Sequence, residues 1–138
     1  MNAIAQPAAI ALYQALCPQQ LAALELDGWR SIQPGRSGEK YCLLKLEQRY
    51  AEMIARQWLV PRYGAGYVVQ LILPRSRICQ YQLETVAYEE HLEYRVPGCQ
   101  LDSLGPALTT EARLVSAFRV QHGYSVAPGG RPLAGLMG

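Results

Sequence analysis

The chain is predicted to form a single α+β domain built around an antiparallel β-sheet. Helical patterns come early in the sequence, and the strand patterns that follow do not alternate regularly with helices. Half of the 138 residues are hydrophobic and 17% are charged, which is typical of a folded domain and not of a disordered segment. A chain of this length buries roughly two-thirds of its unfolded surface, enough for one hydrophobic core.

The first 46 residues predict two strands and the first of two main helices. The apolar run Ala8 to Ala15 indicates a buried first strand, although its alanines would also suit a helix. Pro18 is suited to the first turn of a helix that ends at Asp27, because Gly28 can adopt the left-handed conformation that closes a helix. After a loop rich in Gly, Pro and Ser, the run Tyr41 to Leu46 predicts a second, short strand.

The second main helix, from Glu47 to Leu59, has the clearest periodicity in the sequence. Apolar residues at helical spacing predict one buried stripe, with most of the charged residues elsewhere. The stripe consists of Tyr50, Ala51, Ile54, Ala55, Trp58 and Leu59. Pro61 is expected to end this helix, because the residue before a proline disfavours helical geometry.

The second half of the sequence predicts mainly strands. Tyr67 to Leu73 is β-branched and aromatic and gives the strongest strand signal, after a turn at Gly64 to Gly66. The remaining elements are a weaker extended segment from Ile78 to Leu83, a strand from His91 to Val96 with one polar face, a helical turn from Gln100 to Leu104, and a last strand from Arg113 to Val120. We expect one domain over residues 1–122 and a flexible tail over residues 123–138.

Composition argues against several classes of protein. The net charge is +2 and Lys and Arg form no block, so nucleic-acid binding is not indicated. No apolar run approaches the roughly 20 residues of a membrane-spanning helix, and the N-terminus lacks the basic start of a signal peptide. The four cysteines have no CxxC spacing, which favours free thiols, a reducing compartment and hence a cytoplasmic location. His91 and His122 are not at metal-ligand spacing, so no metal is expected.

Glu93 is the acidic residue that most resembles a functional group. It lies in the middle of a predicted strand among apolar neighbours. It could pair with Arg95 on the solvated face of an edge strand, which would make both residues ordinary surface residues. Alternatively, that face of the strand lines a cleft and the carboxylate works there. The sequence contains no GxGxxG, GxxxxGK[ST] or GxSxG motif that would favour another chemistry.

The order of several short motifs resembles the ADP-ribosyltransferase superfamily, in its diphtheria-toxin-like, His-Tyr-Glu branch. That branch has a first strand with Leu-Tyr-His-Gly, a helix ending in Gly, a strand bearing Tyr, a helix with a pair such as Tyr-Ala, core strands, and a strand carrying a catalytic Glu. The corresponding segments here are Leu12 to Ala15, Leu21 to Trp29, Tyr41, Tyr50-Ala51, Tyr67 to Leu73, and Glu93 to Pro97. Gln14 stands in place of the His, and Ala15 in place of the Gly.

This resemblance implies a split antiparallel sheet with two main helices, and NAD as the substrate. It assigns Tyr13, Gln14, Tyr41 and Tyr50 to cofactor binding, with the two later tyrosines stacking on nicotinamide. It assigns to Glu93 the catalytic carboxylate, which would bind a ribose hydroxyl and stabilise the positive charge on the ribose as nicotinamide leaves. The implied activity is transfer of ADP-ribose to a macromolecular target.

Two other hypotheses remain open at this point. The chain could be a catalytically inactive interaction module, such as an adaptor, immunity or phage-associated protein, that uses exposed aromatic and Arg residues. It could also be a small hydrolase with a cysteine nucleophile and His91 or His122 as the base, although no spacing marks such a pair.

Overall fold

An antiparallel sheet forms the centre of the protein. In the computed structural model, which describes residues 8–35, 39–86 and 91–120, six strands lie in the order β4-β5-β2-β1-β3-β6. The strands are Ala9–Leu16 (β1), Tyr41–Lys45 (β2), Ala65–Pro74 (β3), Gln82–Val86 (β4), His91–Pro97 (β5) and Arg113–Arg119 (β6). The predicted α+β class with an antiparallel sheet is therefore confirmed.

The helices connect these strands and cover the sheet. They are Pro18–Leu26 (α1), Gln48–Ile54 (α2), Val60–Tyr63 (α3), Arg75–Ile78 (α4) and Leu101–Leu104 (α5), with a π turn at Ala55–Leu59 and 3₁₀ turns at Gly98–Gln100 and Gly105–Ala107. Among the described residues, no helix combines the length and the apolar character needed to cross a membrane. The predicted tail, residues 123–138, and His122 lie outside the described residues.

The sheet opens between β1 and β2. The β1–β3 ladder pairs eight positions, from Ala9 opposite Pro74 to Leu16 opposite Tyr67. Within the described strands, β1 and β2 share one paired position, Tyr13 opposite Lys45. Because the two strands diverge on one side of that pair, residues from both faces of the sheet can reach the space between them.

Alternation along β1 separates two apolar clusters. Leu12 and Leu16 are fully buried in the larger cluster, which includes Leu24 of α1. Tyr13 and Ala15 point to the opposite face and pack against a smaller cluster on α2, the π turn and β3. Since side chains alternate along a strand, the intervening Gln14 shares the face of the larger core.

The second main helix does not end at Pro61, and that prediction is wrong. Helical structure continues from α2 through the π turn into α3, where the Val60 N–H donates to the carbonyl of Ala55, five residues earlier. A proline ring clashes with the carbonyl four residues before it in a regular helix, and the wider π turn relieves that clash. The helix ends at Gly64, whose φ of 84° is left-handed.

Three further predictions of local structure are wrong. Trp58 is 59% exposed and not part of the buried stripe, because the π turn changes the rotation of the helix surface before it. Gly66 lies inside β3, opposite Phe118, and not in a turn. The segment predicted as extended from Ile78 begins with the last residue of α4, and β4 starts only at Gln82. Pro74 lies at the N-terminal cap of α4, so the chain turns into a helix there.

Candidate functional site

A cavity of about 240 Å³ lies where β1 and β2 separate. Its walls come from β1, β2, β5, α1, the helix through α2 and the π turn, and the loop before β2. The lining residues are Gln14, Ala15, Gln20, Gly35, Glu39, Cys42, Leu43, Lys45, Tyr50, Ile54, Trp58 and Glu93. Residues from both faces of the sheet, such as Cys42 and Leu43, line it because the sheet is open at this point.

A buried ion pair between Glu93 and Lys45 lies in the cavity wall. The two residues are directly opposite each other in the β2–β5 ladder, so their side chains leave the sheet on the same face. Lys45 Nζ is 3.5 Å from Glu93 Oε1, and each side chain is 8% exposed. Oε1 has no well-aligned hydrogen-bond donor in the structure, so it is held mainly by the lysine charge and retains the capacity to accept a hydrogen bond.

Tyr50 supplies a second contact to the same carboxylate. Its hydroxyl donates a hydrogen bond to Glu93. Burial, and then the charge and hydrogen bond of Glu93, raise the pKa of Tyr50 to about 12, so the phenol remains a donor at neutral pH. The His91 ring stacks on the Tyr50 ring with centroids 4.4 Å apart, and Lys45 Nζ lies 5.5 Å from the Tyr50 centroid. These contacts fix the orientation of the phenol.

Gln14 enters the cavity wall from β1 with its amide already engaged. Nε2 donates to the carbonyl of Gln33 at 2.7 Å and to Cys42 Sγ at 3.2 Å, which uses both of its N–H groups. Burial raises the pKa of the Cys42 thiol to about 12, against a smaller opposing effect of Lys45, so this cysteine is a poor nucleophile. Gln14 can offer a ligand its carbonyl oxygen, or its N–H groups if a ligand displaces these partners.

Tyr13 and Tyr41, the other two residues assigned to cofactor binding by the resemblance, do not line this cavity. The Tyr13 hydroxyl accepts a hydrogen bond from Gln70 Nε2 at 3.1 Å on the neighbouring strand β3. Tyr41 is 40% exposed, and the Arg95 guanidinium lies 5.0 Å from its ring centroid. Arg95 in turn pairs with Glu84 at 2.7 Å. Tyr41 lines a neighbouring depression of about 250 Å³ that shares Glu39 and Leu43 with the cavity.

Among the cavity residues that were not assigned to the site from the sequence, Lys45 and Trp58 matter most, because one pairs with Glu93 and the other is an exposed aromatic ring. Lys45 shares one face of β2 with Tyr41 and Leu43, opposite the core-facing Cys42 and Leu44, so the sequence pattern alone gives no sign that its side chain is buried. Its partner on β5 follows only from the register of the two strands. Trp58 was assigned to the core because the sequence pattern does not reveal the π turn.

The cavity combines a carboxylate held by a cation, a phenol donor and an amide, with an aromatic ring at its edge. Such groups can bind sugar hydroxyls and stabilise a positive charge that develops beside the carboxylate. Within the described ranges, no group of three or more His, Cys, Asp or Glu residues is placed to hold a metal ion. Comparisons with protein-family models, curated proteins and solved structures found no match to the chain.

Proposed function

We propose that the protein is a divergent NAD-binding domain of the ADP-ribosyltransferase type, which transfers ADP-ribose to a macromolecular target. One observation carries the proposal. Gln14, Tyr50 and Glu93 are far apart in the sequence, were singled out together by the family resemblance, and line a single cavity.

The cavity dimensions support binding of one end of the dinucleotide. Its volume of about 240 Å³ is slightly below the roughly 300 Å³ at the lower limit of typical small-molecule pockets. It therefore suits the nicotinamide and its ribose, with the remainder of NAD outside. Ala15 lies on the cavity wall, and its methyl group narrows the approach of a ring to β1 compared with the glycine of the family pattern.

The proposed chemistry is substitution at the anomeric carbon of that ribose. The bond between this carbon and the nicotinamide nitrogen breaks, the electron pair leaves with neutral nicotinamide, and positive charge develops on the ribose. Glu93 accepts a hydrogen bond from a ribose hydroxyl and stabilises this charge. A nucleophile of the target then bonds to the anomeric carbon and releases its proton to solvent.

Lys45 and Tyr50 have opposing effects on this step. The phenol donor orients the Glu93 carboxylate, and fixed orientation lowers the cost of reaching the transition state. The Lys45 charge, 3.5 Å from the carboxylate, offsets part of the negative field that the ribose cation needs. We therefore expect slow turnover compared with a site in which the carboxylate is not paired with a cation.

The experiment has a binding step and a chemical step. A ligand at a hundred times its dissociation constant stabilises a protein by about 2.7 kcal/mol, so millimolar NAD should raise the melting temperature clearly. Nicotinamide release is then measured for the wild type, for Glu93→Gln, and for the control Glu84→Gln. Glu84 lies directly opposite Glu93 on β4 and outside the cavity lining.

We expect Glu93→Gln to bind NAD but to release no nicotinamide, and Glu84→Gln to behave as the wild type. An absence of any thermal shift at millimolar NAD would remove the proposal. Equal turnover by the two variants would remove Glu93 as the carboxylate.

A non-catalytic interaction module is the second candidate, and three contacts favour it. Both N–H groups of Gln14 are satisfied inside the protein, and one face of the Tyr50 ring is covered by His91. These contacts would also be expected of residues that only stabilise the fold. Capture of one specific protein by a folded chain that does not respond to NAD would support this candidate.

A further inference from the structure

The helix that covers the cavity presents two parallel rows of side chains at four-residue spacing. One row faces the cavity and consists of Tyr50, Ile54 and Trp58. The other row packs in the smaller apolar cluster against Val68 and consists of Ala51, Ala55 and Leu59. Thus a single helix both seals the core and forms one wall of the cavity.

A regular α-helix would not keep these rows straight. With 3.6 residues per turn, residues four apart are rotated by roughly 40°, and residues eight apart by roughly 80°. Trp58 would then turn toward the centre of the buried face and Leu59 toward its edge. The π turn at Ala55–Leu59 has more residues per turn and cancels much of this rotation, so Leu59 is buried and Trp58 lies beside Ile54 at the cavity.

Gly66 on β3 makes room for the π turn. The carbonyl of Ala55, which accepts the five-residue hydrogen bond from Val60, lies against this glycine. A Cβ at position 66 would come within 2.7 Å of that oxygen and 3.0 Å of Leu59 Cβ. Any side chain at position 66 would therefore push the π turn away from the sheet.

The consequence of this arrangement is an exposed indole at the cavity. Trp58 lines the cavity and is 59% exposed, although burial in the core would have been more favourable for so large an apolar ring. π turns within α-helices occur frequently at functional sites. We propose that Trp58 stacks on a planar heteroaromatic ring of a nucleotide ligand, either nicotinamide or adenine. This rests on the proposed function, since it names the group that recognises a ring of NAD.

The test uses the ring-containing fragments separately. Nicotinamide and AMP are titrated into the full chain, and tryptophan fluorescence is compared between the wild type and Trp58→Phe. The difference between the two proteins reports on Trp58, since Trp29 is common to both. We expect at least one fragment to quench the Trp58 signal. Loss of a stacked aromatic ring should weaken binding of that fragment by roughly 5- to 150-fold in Trp58→Leu, and less in Trp58→Phe.

A second variant tests the π turn without altering Trp58. Gly66→Ala should weaken binding of the same fragment and shift the tryptophan emission, because the indole moves. The matched control is Gly105→Ala, another buried glycine, where a Cβ would be 3.7 Å or more from the nearest atoms. If Gly66→Ala does not fold by circular dichroism, the two Trp58 variants decide the question alone.

The outcomes separate this inference from the proposed function. If Trp58→Leu binds nicotinamide and AMP as tightly as the wild type, stacking is overturned, even where Glu93-dependent release of nicotinamide from NAD is observed. If neither fragment binds the wild type, stacking is also overturned. If a fragment binds through Trp58 but NAD is never cleaved, the stacking site stands and the transferase proposal fails.

Discussion

Breaking the Lys45–Glu93 pair should be among the most destabilising changes on the cavity wall. Lys45→Met removes the cation and leaves Glu93 buried, with one oxygen lacking a well-aligned donor. Removing one partner of a buried pair typically costs about 3–5 kcal/mol, because a charge remains uncompensated in a low-dielectric environment. Glu93→Gln likewise takes the negative charge of Glu93 away from the buried Lys45 ammonium group.

The structure sets the size of the effect. At the observed 3.5 Å and an effective dielectric constant of about 20, two unit charges attract by roughly 5 kcal/mol before desolvation is subtracted. The double variant Lys45→Met/Glu93→Gln leaves neither charge of this pair buried without a partner. Its loss of unfolding free energy should therefore be smaller than the sum of the losses in the two single variants. We expect a coupling energy toward the upper end of the 0.5–3 kcal/mol seen for contacting residues.

The assay is urea unfolding of the four proteins in the cycle, with the Arg95–Glu84 pair as a matched control. That pair is closer, at 2.7 Å, but its side chains are 38% and 26% exposed. Solvent screening should reduce its coupling to about 1 kcal/mol or less. If the coupling of Lys45 with Glu93 does not exceed that of Arg95 with Glu84, the cavity pair is solvated and the electrostatic reasoning about Glu93 is wrong.

Three further predictions concern titration and reactivity. The folded protein keeps the Tyr50 phenol protonated from pH 10 to about 12, whereas the unfolded chain loses this proton. The free energy of unfolding should therefore fall across this range in the wild type and fall less in Tyr50→Phe. Parallel stability curves for the two proteins would contradict this. Hydrogen bonds from Ser116 and Gln48 lower the pKa of Glu52 in the folded protein. The stability that they contribute is present above pH 4.5, the ordinary pKa, and is lost as the pH falls through the lowered pKa. Glu52→Gln should therefore reduce the loss of stability in acid. Iodoacetamide should label the two exposed thiols of the folded protein, and the two buried thiols only after unfolding. Peptide mass spectrometry identifies the labelled cysteines, and labelling of either buried thiol in the folded protein would contradict the structure. The exposed pair is Cys79 and Cys99, and the buried pair is Cys17 and Cys42.

The strands and main helices were predictable because their signals are local. β3 combines β-branched residues with burial of seven of its ten positions, and β1 has the apolar content expected of a strand in the sheet interior. Pro18 is the first residue of α1, because its fixed φ suits the first turn of a helix. In these segments backbone preference and tertiary packing favour the same structure.

The π turn was not predictable, because its cause lies elsewhere in the chain. The apolar pattern from Tyr50 to Leu59 fits a regular helix as well as the observed one. What distinguishes them is the space that Gly66 leaves for the Ala55 carbonyl, a contact between residues 11 positions apart in sequence. The errors at Trp58 and Pro61 both follow from this one missing contact.

The site was predictable only as far as a family pattern could assign single residues. Glu93 could be identified as an acidic residue on the polar face of a strand, but Lys45 becomes its partner only through the β2–β5 register. Register depends on long-range pairing, and a shift by one residue would move every side chain to the other face. Tyr41 illustrates the same limit, since its neighbour Arg95 across the sheet decides what its ring contacts.

A row of polar residues that crosses the sheet favours the proposed binding role over a purely structural one. Glu84, Glu93, Lys45, Tyr13 and Gln70 are successive directly paired positions that cross the sheet from β4 to β3. Replacing a buried ion pair by apolar residues of similar volume is often neutral or stabilises a protein by about 1–4 kcal/mol. Packing alone therefore gives no reason for a charged pair in the middle of this row. β1 and β2 separate beside this row, on one side of the Tyr13–Lys45 position, and the ion pair borders the cavity there. A ligand bound in that opening could donate a hydrogen bond from a hydroxyl group to Glu93 Oε1, which has no well-aligned hydrogen-bond donor among the described residues.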